Sequence, residues 1–191
     1  RPAAKGTDLR LTLDMGVQKL AVELLKNYKG AIVAMDVKTG AILALASSPT
    51  YDNNPLAWGV SGREWNAIVR DPNRPMLDRC ISGVYPPAST FKAFMSLAAL
   101  EEDVITSSTS FSCSGAIRLA SHTFRCWRRS GHGSMNVLTA LQHSCDVYFY
   151  QVGIRMGIDR ILKWARRFRL GEPTGIDLPG ESAGVIAGPD W

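Results

Sequence analysis

The stretch YPPASTFKAFMSLAAL, Tyr85 to Leu100, decides how the chain is read. Two prolines impose an extended approach, and a helix is then predicted to begin around Ser89 and run on through Glu102. Residues at i and i+3 share a helix face, so the Ser89 and Lys92 side chains can meet. A serine hydroxyl is a poor nucleophile until a neighbouring base takes its proton. A lysine serves as that base only in its neutral form, which burial beside a positively polarised helix N-terminus favours. Backbone amides at such a terminus can also stabilise an oxyanion. A serine cap beside a surface lysine would produce the same short pattern, so the surrounding chain has to decide.

Upstream, Asp8 to Leu13 alternates apolar and polar residues and predicts a short strand. Asp14 can cap a helix carrying Val17, Leu20, Ala21, Leu24, Leu25 and Tyr28 at helical spacing, with Gly30 ending it. AIVAMDVKTGAILALASSP predicts two apolar strands joined by a turn at Lys38 to Gly40. From Pro49 to about Pro87 the chain is rich in Pro, Asn, Asp and Gly and reads as an irregular excursion. Downstream, Val104 to Asn136 reads as loops with short strands. NVLTALQH, DVYFYQVGIRMG and IDRILKWARRFRLG then read as three helices, with Asp159 near the start of the last and Gly171 past its end. The tail EPTGIDLPGESAGVIAGPDW is too rich in Gly and Pro to be helical throughout.

The 191 residues suffice for one substantial core or for most of a larger domain. An apolar share of 46% and a charged share of 20% are ordinary for a globular protein. No run approaches the ~18 apolar residues of a membrane span, and the chain opens on Arg1 with no signal peptide. The net charge of +5 reflects an arginine-rich second half. Arg125, Arg128, Arg129, Arg166, Arg167 and Arg169 read as a solvated face, with contact to anionic envelope polymers the less common alternative.

PPASTFK resembles the active-site serine motif of the penicillin-recognising acyltransferases. The resemblance implies that Ser89 is the nucleophile and Lys92 its general base. Ala88 stands where that family commonly has Gly. The family also places Ser-x-Asn on a loop between helices, and SCD at Ser144 to Asp146 occupies that place. Ser144 would then relay a proton to the leaving amine, and Asp146, standing for the usual Asn, would orient Lys92 and substrate. The family's third motif, Lys-Thr/Ser-Gly, follows the other two. KTG at Lys38 to Gly40 precedes the nucleophile and falls in a turn, so Lys38 is rejected as catalytic and the third motif is expected beyond Trp191.

DVKTGAILALASSPTYDNN, RCISGVYPPASTFK and GEPTGIDLPGESAG resemble class B penicillin-binding proteins. GHGSMNVLTALQHSCDVYFYQ is most similar to their elongation-specific branch, penicillin-binding protein 2. The implied fold is α+β, an α/β sandwich of the penicillin-binding and serine β-lactamase type with a helical subdomain, its C-terminal part missing here. Residues 1–191 would form the N-terminal part of a transpeptidase domain, with early elements of the central sheet in 9–50 and the helical subdomain in 88–170. The implied reaction is D,D-transpeptidation, cross-linking stem peptides in cell-wall elongation through an acyl-enzyme on Ser89 that β-lactams also form. Implied partners are D-Ala-D-Ala stem peptides, a SEDS-family glycosyltransferase and other elongation-complex proteins. The implied location is the bacterial periplasm, anchored to the inner membrane by an N-terminal segment absent from this chain. PASTFK is also similar to class D β-lactamases, so a serine β-lactamase and a non-catalytic, zinc-stabilised β-lactam sensor are the alternatives.

Cys113, Cys126, His132 and Cys145 give C-x12-C-x5-H-x12-C, with pairs too far apart for a zinc knuckle. If the fold brings them together, zinc accepts a Cys3His set, and some proteins resembling penicillin-binding protein 2 carry a structural metal in this segment. His122 or His143 could replace His132. A Cys113–Cys126 disulfide with Cys145 as a buried small residue is the alternative. Cys80 reads as a buried thiol. No organic cofactor is expected. Between two cleft-facing neighbours in an extended loop, Cys145 should point into the protein behind.

Overall fold

The computed structural model describes residues 5–188 and divides the chain into two compact units. The first comprises Arg1–Val84 with Ile176–Ser182 and the second Tyr85–Gly175 with Ala183–Trp191.

In the first unit, helix α1 (Met15–Leu25) packs on a hairpin of β1 (Gly30–Met35) and β2 (Ile42–Ser48). Asp14 caps α1 as its spacing predicts, its carboxylate accepting the Gly16 and Val17 amides. Gln18 docks the helix on the sheet, its side-chain amide donating to the Leu45 carbonyl and accepting the Leu45 N–H. β1 alternates inward Gly30, Ile32 and Ala34 with outward Ala31, Val33 and Met35, so one face of the hairpin carries the core. Ala21 and Leu25 meet Ala44 and Ala46 there, while Leu20 and Leu24 stay exposed.

Several sequence expectations need correction. Asp8 to Leu13 forms no strand. Only Thr12, through its hydroxyl, and the Asp14 N–H reach carbonyls of β2, too few bonds for a ladder. Gly30 begins β1 rather than ending the helix, which stops at Leu25. The excursion after Pro49 contains two short helices, α2 (Asn54–Trp58) and α3 (Gly62–Val69). The missed signal was the Ser61 and Glu64 capping box at the start of α3.

The KTG sequence sits in the β1–β2 turn, where Asp36 Oδ1 accepts the Lys38 and Thr39 amides and the Thr39 hydroxyl. Ser82 Oγ donates to the Gly180 carbonyl at 2.6 Å and Ser182 N–H to Ile81, which fastens the tail segment to this unit.

The second unit is built on α4 (Phe91–Glu101), preceded by a 3-10 turn at Ala88–Thr90, and on α6 (Asp146–Arg167). Ala98 and Ala99 on α4 are fully buried with Val147, Tyr148, Val152 and Met156 of α6 in one core. Methyl-sized side chains there let the helix backbones approach closely. Between them lie the antiparallel pairs of β3 (Phe111–Cys113) with β6 (Gly133–Met135) and of β4 (Ala116–Leu119) with β5 (His122–Arg125). Helix α5 (Val137–Gln142) follows, capped by Asn136. The two helices expected on either side of Gly157 are both present within α6, meeting at a kink where Gly157 leaves the helical conformation (φ 69°, ψ 162°).

Glu102, at the end of α4, clamps the two long helices together. Its carboxylate accepts Lys163 Nζ at 2.6 Å and Trp164 Nε1 at 2.8 Å. The hydrogen bonds from Lys163 and Trp164 outweigh partial burial and hold its pKa below the usual range. A depressed carboxylate stabilises the fold above its unfolded value, about 4.3, and loses that contribution as pH falls through the folded value. Melting temperatures from pH 6 to pH 3 should therefore fall more steeply for the native protein than for Glu102→Gln, which starts lower and is flatter.

Candidate active site

Ser89, Lys92, Ser144 and Asp146 all belong to the second unit, and the fold brings them together. Ser89 is exposed in the 3-10 turn, and Lys92 follows one turn later in α4. Lys92 Nζ lies 3.2 Å from Ser89 Oγ, 3.1 Å from Ser144 Oγ, 2.9 Å from the Ser144 carbonyl and 2.5 Å from Asp146 Oδ1. Ser144 Oγ in turn lies 2.8 Å from Ser89 Oγ. An ammonium has three N–H donors and faces four acceptors, so the hydrogens of this cluster must be shared. The Lys92 and Asp146 side chains are 12% and 24% exposed, so water screens their ion pair only partly.

Asp146 uses both carboxylate oxygens. Oδ1 meets Lys92, and Oδ2 accepts the backbone N–H of Trp127 at 3.0 Å. Burial raises its pKa, but the Lys92 hydrogen bond and the Trp127 amide outweigh it and hold the carboxyl below the usual range. An asparagine here would present an NH2 group to one of these two donors. The Asp in place of Asn is therefore matched to its surroundings.

Two residues of the motifs sit in the left-handed region, Ala88 at φ 50° and Ser144 at φ 50°. Such a conformation costs a non-glycine residue roughly 1–2 kcal/mol, and backbone strain of this kind gathers where side chains must be aimed. The turn at Ser144 directs both its hydroxyl and its carbonyl at Lys92. Cys145 points away and is fully buried, as expected. The cause differs: Ser144 is not extended, and Cys145 is the N-cap residue just before α6.

Behind the catalytic pattern, the donor atoms of Cys113, Cys126, His132 and Cys145 lie within 4.8 Å of one another. The pairing of Cys113 with Gly133 in the β3–β6 ladder brings Cys113 beside His132. His132 Nδ1 is 3.7 Å from Cys113 Sγ and 3.5 Å from Cys126 Sγ. Tetrahedral zinc bonds of about 2.3 Å to sulfur and about 2.0 Å to nitrogen place a ligand nitrogen about 3.5 Å from a ligand sulfur, so these His132–cysteine distances suit zinc. All four cysteines are free thiols. Burial opposes ionisation of Cys126, but the backbone amides of Arg128, Val147 and Asp146 outweigh it and draw its pKa down. The first-turn amides of α6 thus face the Cys126 sulfur, which suits a thiolate. Burial pushes the Cys145 thiol up to about 12, a protonated state that a bound dication would reverse. His122 is exposed on β5, hydrogen-bonded with Ser121, and His143 stacks on His132 at 6.0 Å, so neither joins the donor set. Cys80 is half-buried in the first unit, and its thiol is likewise pushed up to about 12 by burial and Asp78.

A family model described as "Penicillin binding protein transpeptidase domain" matches residues 30–191. The peptidoglycan D,D-transpeptidase MrdA of Haemophilus influenzae is 42% identical over 193 residues, covering 100% of this chain. The chain spans 30% of the length of that relative. Pseudomonas aeruginosa PBP2 in complex with WCK 5153 superposes with a TM-score of 0.86 at 34% identity, over 95% of this chain and 42% of that one. Helicobacter pylori PBP2, in its complex with MreC, gives a TM-score of 0.88 at 37% identity over 94% of this chain and 34% of that one.

The left-handed Ala88 supplies a stability test. Ala88→Gly should stabilise the chain by about 1 kcal/mol, the strain relieved less the greater freedom of unfolded glycine. Denaturant titration measures it, and a loss of stability would contradict the strain argument.

Proposed function

This chain belongs to the penicillin-binding protein transpeptidase family, and on that premise we propose that it carries the nucleophile and base of a peptidoglycan D,D-transpeptidase of cell-wall elongation. The convergence of Ser89, Ser144 and Asp146 on Lys92 Nζ carries this reading. Ser89 Oγ attacks the carbonyl carbon of the penultimate D-Ala of a stem peptide. Its proton passes to Lys92, which accepts it only when neutral, so the proton held between Lys92 and Asp146 must first leave. In this reading a backbone amide at the start of the 3-10 turn would stabilise the developing oxyanion. Collapse breaks the C–N bond, and Ser144 Oγ, in reach of both Ser89 and Lys92, delivers a proton to the departing D-Ala amine and regains one from Lys92. An amine of a second stem then attacks the ester carbonyl, its proton passing through Lys92 to Ser89 Oγ as the C–O bond breaks and the cross-link forms. A β-lactam opens on Ser89 by the same first step and leaves a slowly hydrolysed ester.

The arrangement is consistent with a structural zinc held by Cys113, Cys126, His132 and Cys145. The ion would cross-link the Cys126–His132 loop to the start of α6 and would take no part in acyl transfer. No organic cofactor is needed. The reading extends to the whole protein as an enzyme acting at the periplasmic face of the inner membrane, where MreC and a glycosyltransferase would be its partners. Among the described residues no helix is long and apolar enough to cross a membrane.

In the full-length protein, a fluorescent penicillin should label Ser89 and stay bound for minutes after chase. Lys92→Ala should slow labelling by about 10²–10⁴-fold. Loss of label within seconds would instead identify a β-lactamase. Metal analysis should find about one zinc per chain, and Cys145→Ser should lower zinc content, melting temperature and acylation rate together. A Cys113–Cys126 disulfide in the purified protein would defeat the zinc reading.

A further inference from the structure

Between Asp103 and Asp146 the chain carries four arginines and no acidic residue. Arg118 and Arg125 belong to the β4–β5 hairpin, Arg128 and Arg129 to the loop that follows it, and all four are exposed. The ladder pairs Ile117 with Phe124. Ile117 packs on the core and the Phe124 ring on Tyr150 of α6, so that face of the hairpin turns inward. Alternation along the strands then places Arg118 and Arg125 on the outward face.

Other arginines of this unit find partners within it. Arg160 and Arg169 meet carboxylates, and Arg155 and Arg167 lie over aromatic rings. Arg118 donates its Nε to the Ala120 carbonyl. Among the described residues, no carboxylate pairs with Arg125, Arg128 or Arg129. Cations this close in the chain repel one another, and an anion placed among them relieves that repulsion.

Their position ties this charge to the catalytic cluster. Trp127, between them in sequence, donates its backbone N–H to Asp146 Oδ2 and its indole Nε1 to the His143 carbonyl, both at 3.0 Å. The loop is also fixed from behind. A Cβ on Gly115 would collide with the Arg129 carbonyl oxygen, and one on Gly131 with that of Cys113. Backbones this close leave no room for a side chain, and a fixed loop lowers the cost of ordering a bound chain. An extended peptide advances ~3.3–3.6 Å per residue, so a stem whose reacting carbonyl sits at Ser89 can lay its preceding residues along this loop. Those residues carry the stem's free carboxylates, which suit guanidinium forks.

We propose that Arg125, Arg128 and Arg129 form a carboxylate-binding surface of the acyl-transfer site, which takes the acidic residues preceding the D-Ala-D-Ala end of the stem peptide. The inference rests on the acyl-transfer reading above and deepens it by naming the substrate as an anionic peptide. An anionic membrane would also answer to the charge, but a surface fastened to Asp146 through one loop points to the substrate of that cluster. The arginines hold no transferred proton and form no bond to the reacting carbon.

The test uses the full-length protein and two synthetic pentapeptides, L-Ala-γ-D-Glu-L-Lys-D-Ala-D-Ala and the same peptide with its glutamate carboxylate amidated. Each competes with a fluorescent penicillin for Ser89, and the quantity read is the ratio of the concentrations that halve the labelling rate. The acidic peptide should compete about fivefold better than the amide on the native protein. The triple variant Arg125→Gln, Arg128→Gln, Arg129→Gln should bring the ratio to about one, with labelling in the absence of peptide at the native rate. A ratio of one on the native protein overturns the inference alone, as does a triple variant that keeps the native ratio. So does competition by neither peptide while penicillin still labels Ser89. A ratio of one, with labelling of the native protein but not of the triple variant changing between phosphatidylcholine and phosphatidylglycerol vesicles, assigns the surface to a membrane instead. A native protein that penicillin does not label defeats the acyl-transfer reading, and this inference with it.

Discussion

The amine of Lys92 is the point on which the second unit is organised. It is mostly buried, and it gathers two hydroxyls, a carbonyl and a carboxylate from Ser144, Asp146 and, one turn back, Ser89. Burying a charge without compensation is expensive, so the fold has to bring the 144–146 segment to Lys92 and hold it there. Much of the local architecture follows from that demand. Ser144 takes up a left-handed backbone, Asp146 opens α6, and Trp127 closes the far side of the carboxylate.

The thiol cluster answers a related problem at the start of α6. A helix leaves its first amides without intrahelical partners, and Cys145 is a poor cap. Here the amides of Asp146 and Val147 face the sulfur of Cys126 and favour its ionised form; that sulfur arrives from a loop twenty residues upstream of Asp146. The same loop supplies the Trp127 amide to Asp146. The Cys and His cluster and the Ser, Lys and Asp cluster are therefore opposite faces of one piece of backbone, and a disturbance of one face is felt by the other.

Much of this was legible in the sequence. The Ser-x-x-Lys spacing placed both side chains on one helix face, and the hairpin around Lys38 to Gly40 followed from its apolar runs and turn residues. The Asp14 cap was readable from its position before a periodic run. Failures came where local pattern and tertiary setting disagree. Asp8 to Leu13 alternates like a strand but finds only isolated hydrogen bonds at β2. Pro- and Asn-rich sequence hid α2 and α3. The exposed Leu20 and Leu24 show that helical spacing names a face without saying how much of it is covered. Trp127 gave no signal at all, because a lone tryptophan in an arginine-rich loop looks like any surface aromatic.

By itself, the sequence determined the chemical elements of the site and their order along the chain: serine and lysine one turn apart, then a second serine and an aspartate after a segment rich in cysteine. Short-range spacing suffices for that, because helix geometry is the same in any context. Only the tertiary structure decided which groups meet. The choice of His132 over His122 and His143, the second hydrogen bond to Asp146, and the direction of Cys145 all depend on contacts between segments far apart in the chain. Those contacts are set by backbone packing in three dimensions, such as the back-to-back glycines at 115 and 131, and no local pattern encodes them.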